Sequence, residues 1–186
     1  TVDTLDYSGE GLNQGSKVVI AAAGPVRRNL PVAIDSRIRI PSDGGFGGPR
    51  VVLPGILAVE GPRFKPDETG RDPTVQKFCL GFNRTDAING FPLIVVVDNS
   101  DFAARSLNNF LWTTFTRFEP AADLHAAATA IRRQHLVFTP PIAIDARMKP
   151  GYPDELVCDP ETAALVTRFV LPHLAGSRTP ARDLAG

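Results

Sequence analysis

Leu93-Ile94-Val95-Val96-Val97, an unbroken aliphatic block, runs directly into the polar Asp98-Asn99-Ser100-Asp101. Five consecutive aliphatic residues leave no wet face, so a strand made of them has to be covered on both sides, as the central strand of a helix-flanked sheet is. The four residues after it are turn and N-cap formers. Beyond them, Leu107, Phe110, Leu111, Thr114, Phe115 and Phe118 recur at i, i+3, i+4, i+7, i+8 and i+11, the stripe of a helix beginning near Ser106. Strand followed by amphipathic helix is the α/β signature, and the expected architecture is an α/β (α+β) mixed β-sheet flanked by helices.

Pro120 ends that helix, and the alanine-rich run 121–134 predicts a second one. Leu136-Val137-Phe138 and Ile142-Ala143-Ile144 predict two strands separated by Pro140-Pro141, and residues 162–171 a last helix closed by Pro172. Toward the N-terminus, residues 17–23 have the length and punctuation of a buried strand. Residues 34–40 alternate apolar and charged, which predicts a strand with one wet side. Arg50-Val51-Val52-Leu53 and Gly55-Ile56-Leu57-Ala58-Val59 predict two short extended pieces broken by Pro54, a residue that favours an edge or a bulge. Glycine and proline crowd residues 41–73, which predicts a loop-rich region. Its glycine cluster does not fit GxGxxG, because Arg50 stands where the last glycine belongs.

The 186 residues carry 20 basic and 20 acidic side chains, and each half of the chain is balanced in the same way. A nucleic-acid or anionic-membrane partner needs a net basic face, so neither is expected. No apolar run approaches the ~20 residues needed to span a bilayer. The expectation is one soluble domain over residues 1–186, large enough to bury roughly 70 % of its unfolded surface without staples. Cys79 and Cys158 are too far apart for a clustered metal site or a CxxC pair; they read as packed thiols of a reducing, cytoplasmic compartment. The chain opens on Thr1 and its one methionine is Met148, so it reads as processed or as a piece of something longer.

There is no GxSxG, Walker loop or HExxH, and His125, His135 and His173 stand apart from one another. No catalytic residue, cofactor-binding residue or metal ligand can be assigned from local motifs. The better candidates follow strands, because ligands of α/β sheets collect beyond the strands' carboxyl ends. Asp98 after Val97 and Asp145 after Ile144 qualify. Arg117, off the apolar stripe near the helix end, could lock onto either aspartate or the last helix carbonyls, or hold a bound carboxylate or phosphate.

Residues 92–98 and the segment Asn108-Asn109-Phe110-Leu111-Trp112-Thr113-Thr114-Phe115-Thr116-Arg117-Phe118-Glu119-Pro120-Ala121-Ala122-Asp123-Leu124 resemble the C-terminal domain of UbiD-type decarboxylases. In that family an apolar strand ends in an acidic cluster, and a helix reading roughly "vlWa-atR" leads to "P-x-x-D". Ile142-Ala143-Ile144-Asp145-Ala146-Arg147-Met148-Lys149-Pro150 is similar to the family's later "I-D-A" segment with a basic residue and a proline behind it. The wording around Trp112 and Asp145 is nearest the phenylphosphate carboxylase subunit branch. Together these pieces make residues 92–150 the family-like core.

The resemblance implies reversible, non-oxidative decarboxylation of an aromatic or α,β-unsaturated acid with prenylated FMN. It also implies that the flavin site and a Glu-Arg-Glu acid/base set lie in a preceding domain, so this chain would be a C-terminal domain or small subunit. It would be inactive alone and would cover a flavin-binding catalytic domain or subunit in a homo- or hetero-oligomer. Asp98, Arg117, Asp145 and Lys149 are then structural or pocket-edge candidates. The six glutamates, Glu10, Glu60, Glu68, Glu119, Glu155 and Glu161, match none of that acid/base set. A stand-alone, non-catalytic binding or scaffolding module of the same fold is the alternative.

Overall fold

The computed structural model describes residues 2–3, 17–21, 24–133, 135–152 and 159–170. Residues 1–150 form one compact unit and residues 151–186 a second. The first unit is built on a five-stranded mixed sheet, with helices on both faces. Its strands are β3 (Gly47–Leu53), β4 (Ile56–Glu60), β5 (Leu93–Val97), β6 (Leu124–Arg132) and β7 (His135–Asp145), in the spatial order β3-β4-β5-β7-β6. β4, β5 and β7 run parallel, while β3 and β6 are antiparallel edges. A small ladder of β1 (Val2–Asp3) and β2 (Lys17–Val18) stands apart from it.

β5 is the central strand that its aliphatic run predicts: Ile94, Val95, Val96 and Val97 are all fully buried. Ile94 and Val96 face a cluster with Val75, Phe78 and Cys79 of α1 (Thr74–Leu80), together with Phe46, Ile88 and Phe91. Val95 and Val97 face the opposite cluster, with Ala103 of α2 (Ser100–Ala104) and Phe110 of α3 (Leu107–Thr116). Asn99 and Ser106 cap α2 and α3, each side chain accepting a main-chain N–H three residues on. The two extended pieces around Pro54 are β3 and β4, a hairpin turning at Gly55, whose φ of +81° suits glycine.

Four expectations are corrected. Residues 121–134 are not a helix: α4 (Pro120–Asp123) is one turn, and β6 follows, because this segment pairs along its length with β7 from Leu124↔Ile144 to Arg132↔His135. Pairing partners outweigh the helix preference of alanine. The two strands around Pro140-Pro141 are one strand, β7, which passes through a cis Pro140–Pro141 bond. Residues 34–40 form turns rather than a strand; Asp35 folds back onto Arg37, and Ile38 and Ile40 pack against the core from a loop. Residues 17–23 are not a buried strand either, since β2 ends at Val18 and Val19 and Ile20 are mostly exposed; residues 22–23 lie outside the described set.

The first eight residues of β7 pair with β6 alone, so the two strands leave the sheet as a ribbon whose turn places Arg133 at φ +49°. In the second unit, α5 (Pro160–Leu165) continues as a π turn, Val166–Val170. The last helix therefore starts two residues earlier than predicted, with Asp159 accepting the Thr162 N–H as its cap. Cys158 and His173 lie outside the described residues. Among the described residues no helix is long and apolar enough to cross a membrane.

Candidate functional site

The parallel strands β4, β5 and β7 end side by side, so that Glu60, Asp98 and Asp145 come to one edge of the sheet. Asp145 closes β7 opposite Val96. Two residues on, Arg147 folds back along the strand: Nε donates to Asp145 Oδ1 at 2.9 Å and Nη2 to Oδ2 at 2.7 Å, a two-pronged match of guanidinium to carboxylate. Nη2 also donates to Asp72 Oδ2 at 3.1 Å and Nη1 to the Pro62 carbonyl at 2.7 Å. The Phe64 ring lies 5.3 Å from the guanidinium carbon. Arg147 is 0 % exposed, the largest fully buried side chain among the described residues.

A buried guanidinium is tolerated only when its charge is matched and its donors are used, and both conditions hold here. Asp72 is fixed in turn by N–H groups of Lys65 and Thr74, each at 2.9 Å. Burial alone would raise its pKa, but the hydrogen bonds from Thr74 and Lys65 and the charge of Arg147 outweigh that and hold it below the ordinary carboxylate range. For Arg147, burial pulls the pKa down, and the bonds and charges of Asp145 and Asp72 more than reverse the effect.

Asp98 stands at the next strand end and is one-third exposed. Its Oδ2 accepts from Arg117 Nη1 at 2.8 Å and from the Met148 N–H at 2.7 Å, tying the end of α3 to the loop after β7. Lys149 completes the cluster, its Nζ donating to the carbonyls of Arg117 at 2.6 Å and Asp145 at 3.0 Å and pairing with Asp123 Oδ2 at 3.1 Å. Burial pushes the Asp123 carboxyl above its ordinary range and depresses the neighbouring His125. At the third strand end, Ser100 of α2 donates both N–H and Oγ to Glu60 Oε1, at 3.2 and 3.1 Å.

Asp98, Arg117, Asp145 and Lys149 thus belong to one cluster, with Asp98 and Arg117 in direct contact and Lys149 bonded to main-chain oxygens of Arg117 and Asp145. Sequence reasoning missed Arg147, Asp72 and Asp123. Arg147 had a signal: in Asp145-Ala146-Arg147-Met148-Lys149 the charged residues alternate, which in extended chain puts all three on one side. Asp123 is the aspartate of the P-x-x-D segment, Pro120-Ala121-Ala122-Asp123; Asp72 had no signal, since it arrives from a distant loop.

The side chains that could grip a flavin phosphate here, Arg117, Arg147 and Lys149, are already bonded to carboxylates and carbonyls. Two surface cavities, of about 360 and 610 Å³, lie elsewhere, lined by residues within 28–41 and 81–91. No group of three or more His, Cys, Asp or Glu suited to a metal occurs among the described residues. Chemically the cluster is a clasp: Asp72, Asp98, Asp123 and Asp145 with Arg117, Arg147 and Lys149 tie the ends of β5 and β7 to α3 and α4.

The chain is 35 % identical over 166 residues to an uncharacterized protein of Chlamydia trachomatis, covering 89 % of this chain and 26 % of that one. It is 33 % identical over 167 residues to an uncharacterized protein of Chlamydia caviae, with the same coverage of 89 % and 26 %. A Chlamydia pneumoniae protein, named as a subunit of 4-hydroxybenzoate decarboxylase, is 34 % identical over 168 residues, again covering 89 % of this chain and 26 % of the relative. The chain spans about a quarter of the length of the curated relatives it matches. No family model matches it. No solved structure matches it.

Proposed function

We propose that this chain is the C-terminal domain or small subunit of a UbiD-type non-oxidative (de)carboxylase acting on aromatic or α,β-unsaturated acids. It covers a flavin-binding catalytic domain and supports assembly. The observation that carries the reading is the clasp at the strand ends. At the edge where an α/β sheet places its reactive groups, Arg147, Asp145 and Asp72 are sealed and mutually bonded, and Lys149 is bonded to Asp123 and main-chain oxygens. Groups so committed hold a shape and leave proton transfer to another polypeptide. The name of the Chlamydia pneumoniae relative supports the reaction class, and the quarter-length match supports a role as part of a larger machine.

Prenylated FMN then belongs to the partner. The test is to mix the purified chain with the flavin-charged catalytic polypeptide from the same source, and to follow co-elution and release of carbon dioxide from 4-hydroxybenzoate and related aromatic acids. The chain alone releases none, and the mixture co-elutes with altered turnover. The absence of both co-elution and altered turnover would refute the assignment, and so would carbon dioxide release by the chain alone.

A further inference from the structure

Helix α3 turns Thr113 and Thr114 inward. Phe110, Thr113, Thr114 and Arg117 form the face laid on the sheet, and the Oγ1 atoms of Thr113 and Thr114 are buried with no hydrogen-bond partner. The large apolar side chains point the other way: Leu107, Trp112 and Phe115 are each 52 % exposed and Leu111 43 %. Leu107, Leu111 and Phe115 stand in one i, i+4, i+8 row with Trp112 beside it, and the one other residue within that arc is the uncharged Asn108.

Rotation cannot relieve this exposure. Ser106 caps the helix, the Asn109 side chain donates to the Phe102 carbonyl at 3.0 Å, and Arg117 is pinned to Asp98 at 2.8 Å. Trp112 is also set in place, edge-on to Phe102 with ring centroids 6.3 Å apart and with the Arg117 guanidinium 5.4 Å from its ring. Half-exposed side chains of this size present roughly 400 Å² of contiguous apolar surface, at the level that marks interaction sites. A rigid aromatic anchor ringed by aliphatic groups is the composition of a binding hot spot.

From this geometry we infer that the outward face of α3, centred on Leu111 and Trp112, is the surface by which this domain docks onto the larger flavin-binding polypeptide; the inference rests on the function proposed above. Two arguments select that occupant. The matched relatives are about four times longer than the aligned segment, so in them an α3 of this kind lies within a chain with ample further surface to cover it. A stable interface needs about 800 Å² per partner, so two copies meeting through this face alone would fall short by about half. A larger partner can reach past α3 onto α2, where Phe102 adjoins Trp112 and the Arg105 guanidinium lies 5.8 Å over the Phe102 ring. The matching surface is an apolar socket for Trp112 with a carboxylate opposite Arg105.

Trp112 is the sole tryptophan, so a chain grown with 5-fluorotryptophan carries one fluorine reporter at the docking face. On adding the unlabelled flavin-binding polypeptide, the resonance shifts as the complex forms. Leu111→Glu and Phe115→Ser, each checked for a native circular dichroism spectrum, weaken binding at least tenfold, whereas Ile131→Glu on the ribbon leaves it unchanged. A complex that forms with the resonance unmoved and with Leu111→Glu binding like the parent overturns the docking face and leaves the proposed function standing. A shift produced by raising the concentration of the chain alone overturns it in favour of a second copy. No complex at all removes both.

Discussion

The carboxylate of Asp145 and the guanidinium of Arg147, two residues apart, lock together through two parallel bonds of 2.9 and 2.7 Å, with neither side chain more than 1 % exposed. Removing one partner strands the other's charge in the core, a loss typically worth about 3–5 kcal/mol. Asp145→Asn and Arg147→Ala are expected to lower unfolding free energy in urea by that order. Arg147→Met, which keeps the stem but leaves Asp145 and Asp72 unpaired, should be no milder than Asp145→Asn. Wild-type midpoints for these variants would show that the clasp is dispensable.

Gly61 makes room for that clasp. A Cβ there would lie 2.5 Å from Val96 Cγ1 and 2.9 Å from Arg147 Cδ, and the Gly61 N–H is bonded to the Val97 carbonyl at 3.0 Å, so the backbone cannot back away. Gly61→Ala should cost about 1–3 kcal/mol through overpacking, whereas Gly70→Ala, with nothing within 4 Å but a φ of +77°, should lose stability through backbone strain alone. Combining Gly61→Ala with Arg147→Ala should recover part of the loss, a coupling readable from a double-mutant cycle.

Stability should fall on acidification through two groups, one acting near neutrality and one at acidic pH. Burial holds His125 below its ordinary 6.5, so its contribution is complete above 6.5 and is lost as the pH falls below it, because the unfolded chain takes the proton first. Asp72, held below 3.8, contributes above that value and loses the contribution as the pH falls through its folded value. Melting temperature should therefore fall from about pH 7.5 to 5.5, and His125→Gln should flatten that limb while leaving the more acidic one. An unchanged slope in the variant would assign the limb to other groups.

The thiol of Cys79 is fully buried, and burial pushes its pKa up to about 12. In a Cys158→Ser background, Cys79 should resist a disulfide reagent at pH 8 and react only in denaturant, because the thiolate is the reactive form. Rapid reaction of the native protein would mean that α1 opens readily from the sheet.

At Thr114 the Oγ1 is buried without a partner, so Thr114→Val exchanges an unmet hydroxyl for a methyl of similar shape. The change should be neutral or stabilising by about 1 kcal/mol. A loss of more than that would show that the hydroxyl has a partner in solution.

What was legible from the sequence was whatever rests on neighbours along the chain. The apolar run of β5, the caps Asn99 and Ser106, and the two extended pieces on either side of Pro54 are local patterns, and the α/β class follows from the strand and helix among them. Asp98 and Asp145 were legible as strand-end residues for the same reason. The tertiary structure alone decided the rest, because it depended on partners far away in sequence. Residues 124–132 became a strand because β7 was there to pair with them, although their alanines suit a helix. The periodicity of α3 located a helix and an apolar stripe, but Leu107, Leu111 and Phe115 of that stripe are exposed, while Arg117 lies buried and bonded to Asp98. Arg147 is buried against Asp145, its neighbour in sequence, and also against Asp72, 75 residues away, which only the fold brings to it.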